Sequence, residues 1–520
     1  MRERYIKGED INNVEIKVSL DKNLVYIQSI FDKASDLVVK RFQIGINHPI
    51  NVAIIYISGI SEKKVINDNI LKNLMVNSRN QNFKENITTT GIRNIILNTL
   101  LPVAGVTVKE HSDELIQALL EGKTILLVDN LSEGFSLSTE NEDSRGQDPE
   151  TETVVRGPKE GFTEDYNTNI SLIRRRIKTP DLKFEKYVVG RVSKTDVVIV
   201  YLQGIVEQAL VEEVRERIRR IDIDIINESA NIEQLIEDDP YSPFPQMNNT
   251  ERPDGVASAL NEGRIAIIID GTPFVLLLPT VFIHFLQSTE DYYERFLYPT
   301  VIRLLRLLAF FTALLAPSIY VAITTYHQEM IPTPLLISIV ASRTGVPFPS
   351  VLEALLMEIT FEALREAGLR LPRPVGQAVS IVGALVIGEA AVQAGLVSRA
   401  MVIVVALTGI ASFIIPAYNM GISIRLLRFP VMFLAGSFGM FGITFAFLAL
   451  LIHLSSLRSF GIPYLSPITP INLSGLKDSI FKVPEWMKNK RSTFISKEDK
   501  KRIRTNAKPG PSNKQGEDND

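Results

Sequence analysis

The sequence predicts an α/β N-terminal region of two repeated modules, followed by an all-α polytopic membrane domain. Three observations carry this reading. First, residues 307–326, 400–424 and 429–457 are long apolar blocks without charge, and residues 374–398 form a fourth interrupted only by Glu389. A hydrocarbon core of ~30 Å takes roughly 20 helical residues to cross. Second, residues 20–280 alternate β-branched runs with helical stripes. Third, that alternation recurs about 140 residues further on, the signature of an internal repeat.

In chain order, NVAIIYIS (residues 51–58) reads as a strand ending at Gly59, followed by a helical stripe on Val65, Ile66, Ile70, Leu71 and Leu74. SDELIQALLEG (112–122) reads as a short helix capped by Ser112 and stopped by Gly122, and KTILLVD (123–129) as its strand. The second copy has DVVIVYL (196–202), Gly204-Ile205, a helix over 206–221, PDGVASALNEG (253–263) with Pro253 in its first turn, and RIAIIID (264–270). Between the copies, residues 132–152 are acidic and rich in Ser and Gly, which predicts a mobile linker or exposed loop. The expected domains are 1–150, 151–285, a membrane domain of four to six helices over 286–460, and a basic, disordered tail over 461–520.

Composition narrows the chemistry. The 520 residues hold no cysteine, which excludes disulfides, thiolate nucleophiles and Cys-bearing zinc sites. The five histidines are scattered without metal-binding spacing, and no phosphate loop, dinucleotide fingerprint or nucleophile elbow is visible. The sequence therefore predicts no enzyme, cofactor, metal or nucleic-acid partner. Residues 1–20 are polar, so nothing there reads as a signal for export of the front of the chain. The tail carries nine Lys/Arg against two Asp/Glu over residues 486–508, a pattern suited to anionic lipid on the cytoplasmic side.

The stretch after the first block is the most informative. SVLEALLMEITFEALREA (350–367) reads as a helix whose capping box pairs Ser350 with Glu353. Capping leaves Glu358, Glu362 and Glu366 unexplained. At steps of four they share a face and repel. Three readings stand: a solvated acidic face, pairing with arginines such as Arg370, Arg373 or Arg425, or the lining of a water-filled cation path. Glu389 is a further candidate for that path. Arg303, Arg306, Arg425 and Arg428 flank the blocks and suit a membrane interface. Gly436, Gly439 and Gly442 read as a packing face.

Several stretches resemble the A-subunit family of bacterial spore germinant receptors, the GerA type. They are VRGPKEGFTEDYNTN (155–169), the run 172–178 with its Arg174-Arg175-Arg176 triplet, FPQMNNTERPD (244–254), EDYYER (290–295), MEITFEALREAGLRLP (357–372) and IVGALVIGEAA (381–391). The resemblance implies a multi-pass subunit of the spore inner membrane, while the polar N-terminus and Arg303/Arg306 predict a cytoplasmic N-terminal domain. It further implies a transporter-like B subunit and a lipoprotein C subunit as partners, self-association, contact with lipid, and a channel for monovalent cations opened by nutrients. It brings no catalytic residues. An accessory paralogue of the same pathway, or a non-conducting scaffold, remains the alternative.

Overall fold

The structure is a computed structural model and describes residues 14–45, 49–76, 89–97, 105–141, 146–372, 386–488 and 491. Arg373, Gly376, Gly383 and most of the basic tail fall outside the described residues; the tail's first part, 461–488, is ordered rather than disordered, with Tyr464 fully buried. The chain divides into two units. One holds the described residues up to 237, with 249–279 and 485–491; the other holds 238–248 and 280–484.

The first unit contains two five-stranded sheets with one topology. Strands β1 (Leu37–Ile44), β2 (Ile50–Ile57), β3 (Val106–Lys109), β4 (Thr124–Val128) and β5 (Gly134–Leu137) lie in the order β1-β2-β4-β5-β3. Strands β6 (Leu182–Val189), β7 (Thr195–Leu202), β8 (Asn248–Thr250), β9 (Ile265–Ile269) and β10 (Val275–Leu278) lie in the order β6-β7-β9-β10-β8, the same pattern five strands later. The predicted repeat is thus an architectural one. The central strands β4 and β9 are buried along their whole length, which explains their unbroken apolar runs. Helices α1 (Leu20–Ile30) and α2 (Ser112–Leu120) pack on the first sheet. The second module contains α3 (Tyr166–Arg176), α4 (Gln208–Arg219), α5 (Ser229–Ile236) and α6 (Pro253–Asn261).

Two local expectations are corrected. Ser112 does not cap α2; His111 holds that position, with no side-chain cap bond, and Ser112 is buried in the first turn. The stretch 132–152 is not a mobile linker over its described length. Residues 134–137 form β5, with Phe135 and Leu137 fully buried. Two apolar side chains at alternate positions suffice for a strand, and the surrounding Ser and Gly hide them.

The two modules are joined by a buried ion pair. Arg174, fully buried on α3, donates to both carboxylate oxygens of Asp36 at 2.9 and 3.0 Å and to the carbonyls of Thr179 and Leu182. Its guanidinium lies 4.8 Å from the Phe184 ring centre. Arg175 donates to the Asn141 carbonyl and Arg176 to Glu160. Each arginine of the triplet therefore grips a different segment. Gly59 turns with φ +94°, and a Cβ there would stand 2.9 Å from the Ser171 Cβ on α3, so the first module meets the second across a bare backbone.

The second unit is helical. Its helices are α7 (Leu297–Tyr326), α8 (Thr333–Arg343), α9 (Ser350–Arg370), α10 (Arg399–Ile414) and α11 (Tyr418–Ser456). Residues 386–393 are also helical. Among the described residues, two helices, α7 and α11, are long and apolar enough to cross a membrane. Two apolar clusters define two levels. One gathers Phe310 and Ala313 of α7, Ala411 of α10, and both Met420 and Leu454 of α11. The other gathers Val321 of α7, Met401 of α10, and Met432, Ala435 and Ile443 of α11. Both ends of α11 thus share one level and its middle occupies the other.

That arrangement requires α11 to fold back, and Gly439 is where it does. Its φ of +63° and ψ of −142° are not helical. A Cβ on Gly442 would lie 2.1 Å from the Leu434 carbonyl oxygen, whereas residues eight apart in a straight helix are separated by about 12 Å. Tyr326 donates to the carbonyls of Gly436 and Ser437, which the break leaves without helical partners. The His327 ring sits against Gly439 itself. The last predicted block is therefore two helical limbs rather than one span, and the preceding block ends at Ile414. Arg425 and Arg428 lie inside α11.

Candidate functional site

Helix α9 descends between the two levels. At its start Ser350 bonds Thr324 of α7, Oγ to Oγ1, at 3.0 Å. Near its end Arg365 lies over the rings of Phe413 and Tyr418. The expected capping box is absent: Pro349 is the N-cap and makes no side-chain cap bond. Glu353 is fully buried instead. It accepts from the Ser398 backbone N–H at 3.0 Å and pairs with Arg343 of α8 at 3.1 Å. One carboxylate so ties α8, α9 and the start of α10. A capping-box pattern in sequence cannot separate these outcomes, because both place Glu at the fourth position.

The acidic stripe forms a graded series of ion pairs. Glu358 pairs with Arg428, both side chains 1% exposed. Glu362, 30% exposed, pairs with Arg425 at 3.6 Å, and Glu366, 58% exposed, pairs with Arg370 at 2.6 Å on its own helix. Arg428 also donates through Nε to the Ala313 carbonyl at 2.8 Å, so it holds α7, α9 and α11 together. These charges are expensive inside an apolar bundle, and pairing offsets only part of that cost. Glu358 Oε1, Arg428 Nη2, Glu362 Oε1 and Arg425 Nη1 are buried without a hydrogen-bond partner among the described residues. Groups of that kind call for water. Glu389 stands apart: it is exposed and accepts from Gln393 at 3.0 Å.

Arg303 and Arg306, expected at a membrane interface, are buried and turn onto Asp291 at 3.1 and 2.8 Å. Arg303 also lies 5.4 Å from the Tyr292 ring centre. The EDYYER stretch thereby anchors the start of α7. Sequence reading singled out neither Asp291 nor Arg343. Asp291 lies in a stretch quoted only for its resemblance, and Arg343 follows a short apolar piece with no pattern of its own.

Residues 25–494 match the family model described as Bacillus/Clostridium GerA spore germination protein. The chain belongs to the GerA family. It is 48% identical over 504 residues to spore germination protein KA of Bacillus subtilis (strain 168), covering 97% of this chain and 91% of that one. It is 44% identical over 490 residues to the uncharacterized membrane protein YfkQ of the same organism, covering 94% of each chain. A crystal structure of the N-terminal domain of the A subunit of the Bacillus megaterium spore germinant receptor GerK3 aligns at 39% identity and TM-score 0.41, over 52% of this chain and 98% of that one. This GerA-family spore germination protein combines an α/β N-terminal region with a helical region bearing apolar helices.

Proposed function

We propose that this GerA-family protein is the A subunit of a nutrient germinant receptor, a multi-pass protein of the spore inner membrane. Its N-terminal modules face the cytoplasm, and it works with B and C subunits. Several copies assemble around a path for monovalent cations. Glu358, Glu362 and Glu366 line that path, with Glu389 as a further carboxylate. The family membership supports the receptor role. Outward-facing Ile403, Phe433, Phe441 and Ile452, each more than 60% exposed, support a lipid-facing helical unit.

The observation that carries the conducting role is the Glu358–Arg428 pair. In the described conformation each carboxylate of the stripe is matched by an arginine. Such a row neither attracts nor passes a cation. Separating α9 from α11 would strip Glu358 and Glu362 of their partners and leave a wet acidic face, which favours cations. The resting row is then the closed state. The test is potassium release from spores carrying Glu358→Gln or Glu362→Gln at normal protein level. Changed efflux on nutrient addition is expected; wild-type kinetics in both would remove the conducting role.

A second reading, an accessory paralogue of the pathway, is favoured by the 44% identity to a protein described only as a membrane protein. Co-purification from spore membranes separates the two, since only a receptor subunit brings B and C partners with it.

A further inference from the structure

The face of α9 that meets α11 carries one arginine more than its carboxylates can take. Glu358, Glu362 and Glu366 are matched by Arg428, Arg425 and Arg370. Arg365 lies one turn beyond Glu362 and, among the described residues, makes neither an ion pair nor a hydrogen bond. Two rings hold it instead. Its guanidinium carbon is 4.9 Å from the Phe413 ring centre and 5.9 Å from that of Tyr418. Arg425 shares the Tyr418 ring, also at 5.9 Å, and reaches Glu362 only at 3.6 Å, with no hydrogen bond among the described residues. One nitrogen of each guanidinium, Nη1, is enclosed; Nε and Nη2 of both are open to the surface and unbonded.

Two guanidinium edges over one tyrosine suit an anion with several oxygens in a plane or tetrahedron, above all a phosphate. The rings restrict both side chains before anything binds, which lowers the entropy lost on binding. The surroundings choose the source of that phosphate. From Phe413 an apolar stripe runs along α10 through Ile410, Leu407 and Ile403, each more than half exposed. It covers ten residues, about 15 Å, which is the depth of one leaflet of a ~30 Å hydrocarbon core. A free phosphate has no use for that stripe, and an acyl chain has. The uncancelled charge of Arg365 favours a lipid with net negative charge over a zwitterionic one.

We propose that Arg365, Tyr418 and Arg425, where α9 meets the turn from α10 into α11, bind the phosphodiester of an anionic phospholipid whose acyl chain lies along Phe413, Ile410, Leu407 and Ile403. The lipid completes the charge balance of α9. This rests on the reading of the helical unit as membrane-embedded and is independent of cation conduction.

The test is native mass spectrometry of the full chain released from detergent micelles holding phosphatidylglycerol and phosphatidylcholine in equal amounts. Retention of phosphatidylglycerol is expected to exceed that of phosphatidylcholine by about tenfold or more. Arg365→Met keeps a side chain against the rings without the donors, and is expected to lose the preference. Arg370→Met removes an exposed charge from the same helix and keeps it. Equal retention of the two lipids by the wild-type chain overturns the proposal, whatever the variants do. So does an undiminished preference in a folded Arg365→Met protein. Release of the phosphatidylglycerol by an equal concentration of glycerol 3-phosphate would make a soluble ester the occupant and overturn the lipid assignment. A change of oligomer size in Arg365→Met with the lipid still held would give the site to a neighbouring copy's carboxylate, and overturns it too. Extraction of the chain from spore membranes by alkaline carbonate would instead remove the membrane reading itself, so the two failures are told apart.

Discussion

Two buried ion pairs, one in each unit, are satisfied to different degrees. In the α/β unit, Arg174 satisfies Asp36 through two hydrogen bonds and gives further donors to two carbonyls. In the helical unit, Glu358 and Arg428 each keep a polar atom without a hydrogen-bond partner among the described residues. The first arrangement is finished, and it locks two modules together. The second is incomplete, and an incompletely satisfied buried pair is one that a change of state can rearrange at lower cost. The two pairs are alike in burial; what separates them is whether the remaining lone pairs and protons are taken.

The sharpest way to break this comparison is to remove one partner from each pair. Arg428→Met and Arg174→Met each strand a buried carboxylate, and each is expected to cost about 3–5 kcal/mol, read as a fall in melting temperature of the purified protein. The double replacements separate the two regions. Asp36→Leu with Arg174→Met should regain most of the stability and leave germination intact, whereas Glu358→Leu with Arg428→Met should regain stability and lose nutrient-driven ion release. Equal germination phenotypes would mean that the two pairs do not differ in role.

The next effect is smaller and lies in the helical unit alone. Gly439→Ala puts a Cβ at positive φ, 2.8 Å from the His327 ring. A cost of about 2–4 kcal/mol is expected from strain and overpacking together, seen as reduced membrane-fraction protein and a lower melting point. In the α/β unit, Asp165→Ala removes the N-cap of α3, which bonds the amides of Asn167 and Thr168, for about 1 kcal/mol. Burial raises the Asp165 carboxyl, but the bonds from Thr168 and Asn167 win and hold it below its ordinary 3.8. The cap therefore contributes fully above that pH and is lost as pH falls through the lowered value, so acid titration should narrow the gap between variant and wild type. Smallest is Arg370→Ala: its pair with Glu366 is exposed, and a change under about 0.5 kcal/mol in thermal melting is expected.

The sequence carried much of the architecture because the strands β2, β4, β7 and β9 are buried over most or all of their length and their apolar runs are continuous. Edge and short strands escaped: β1 and β6 mix Lys, Arg and Glu with apolar residues, and β8 is only three residues long. The acidic stripe was visible from its spacing of four, and its pairing with Arg370 and Arg425 was among the open readings. Its deepest partner, Arg428, was assigned to a membrane interface, since nothing local reveals that a residue 70 positions away lies across the bundle. The same holds for Arg174 and Asp36, 138 positions apart. Gly439 was misjudged for another reason. Three glycines at equal steps look like a groove for a neighbouring helix, and the same spacing serves a chain that doubles back on itself.

That reversal has an arithmetic consequence. Unbent, the 39 residues of α11 would extend about 58 Å, close to twice the ~30 Å oily interior of a bilayer. Doubled over, the limbs measure roughly 32 and 26 Å, each near one crossing. The polypeptide then leaves the helical unit at the level where it entered. The level from which everything beyond residue 456 departs is decided by one left-handed torsion.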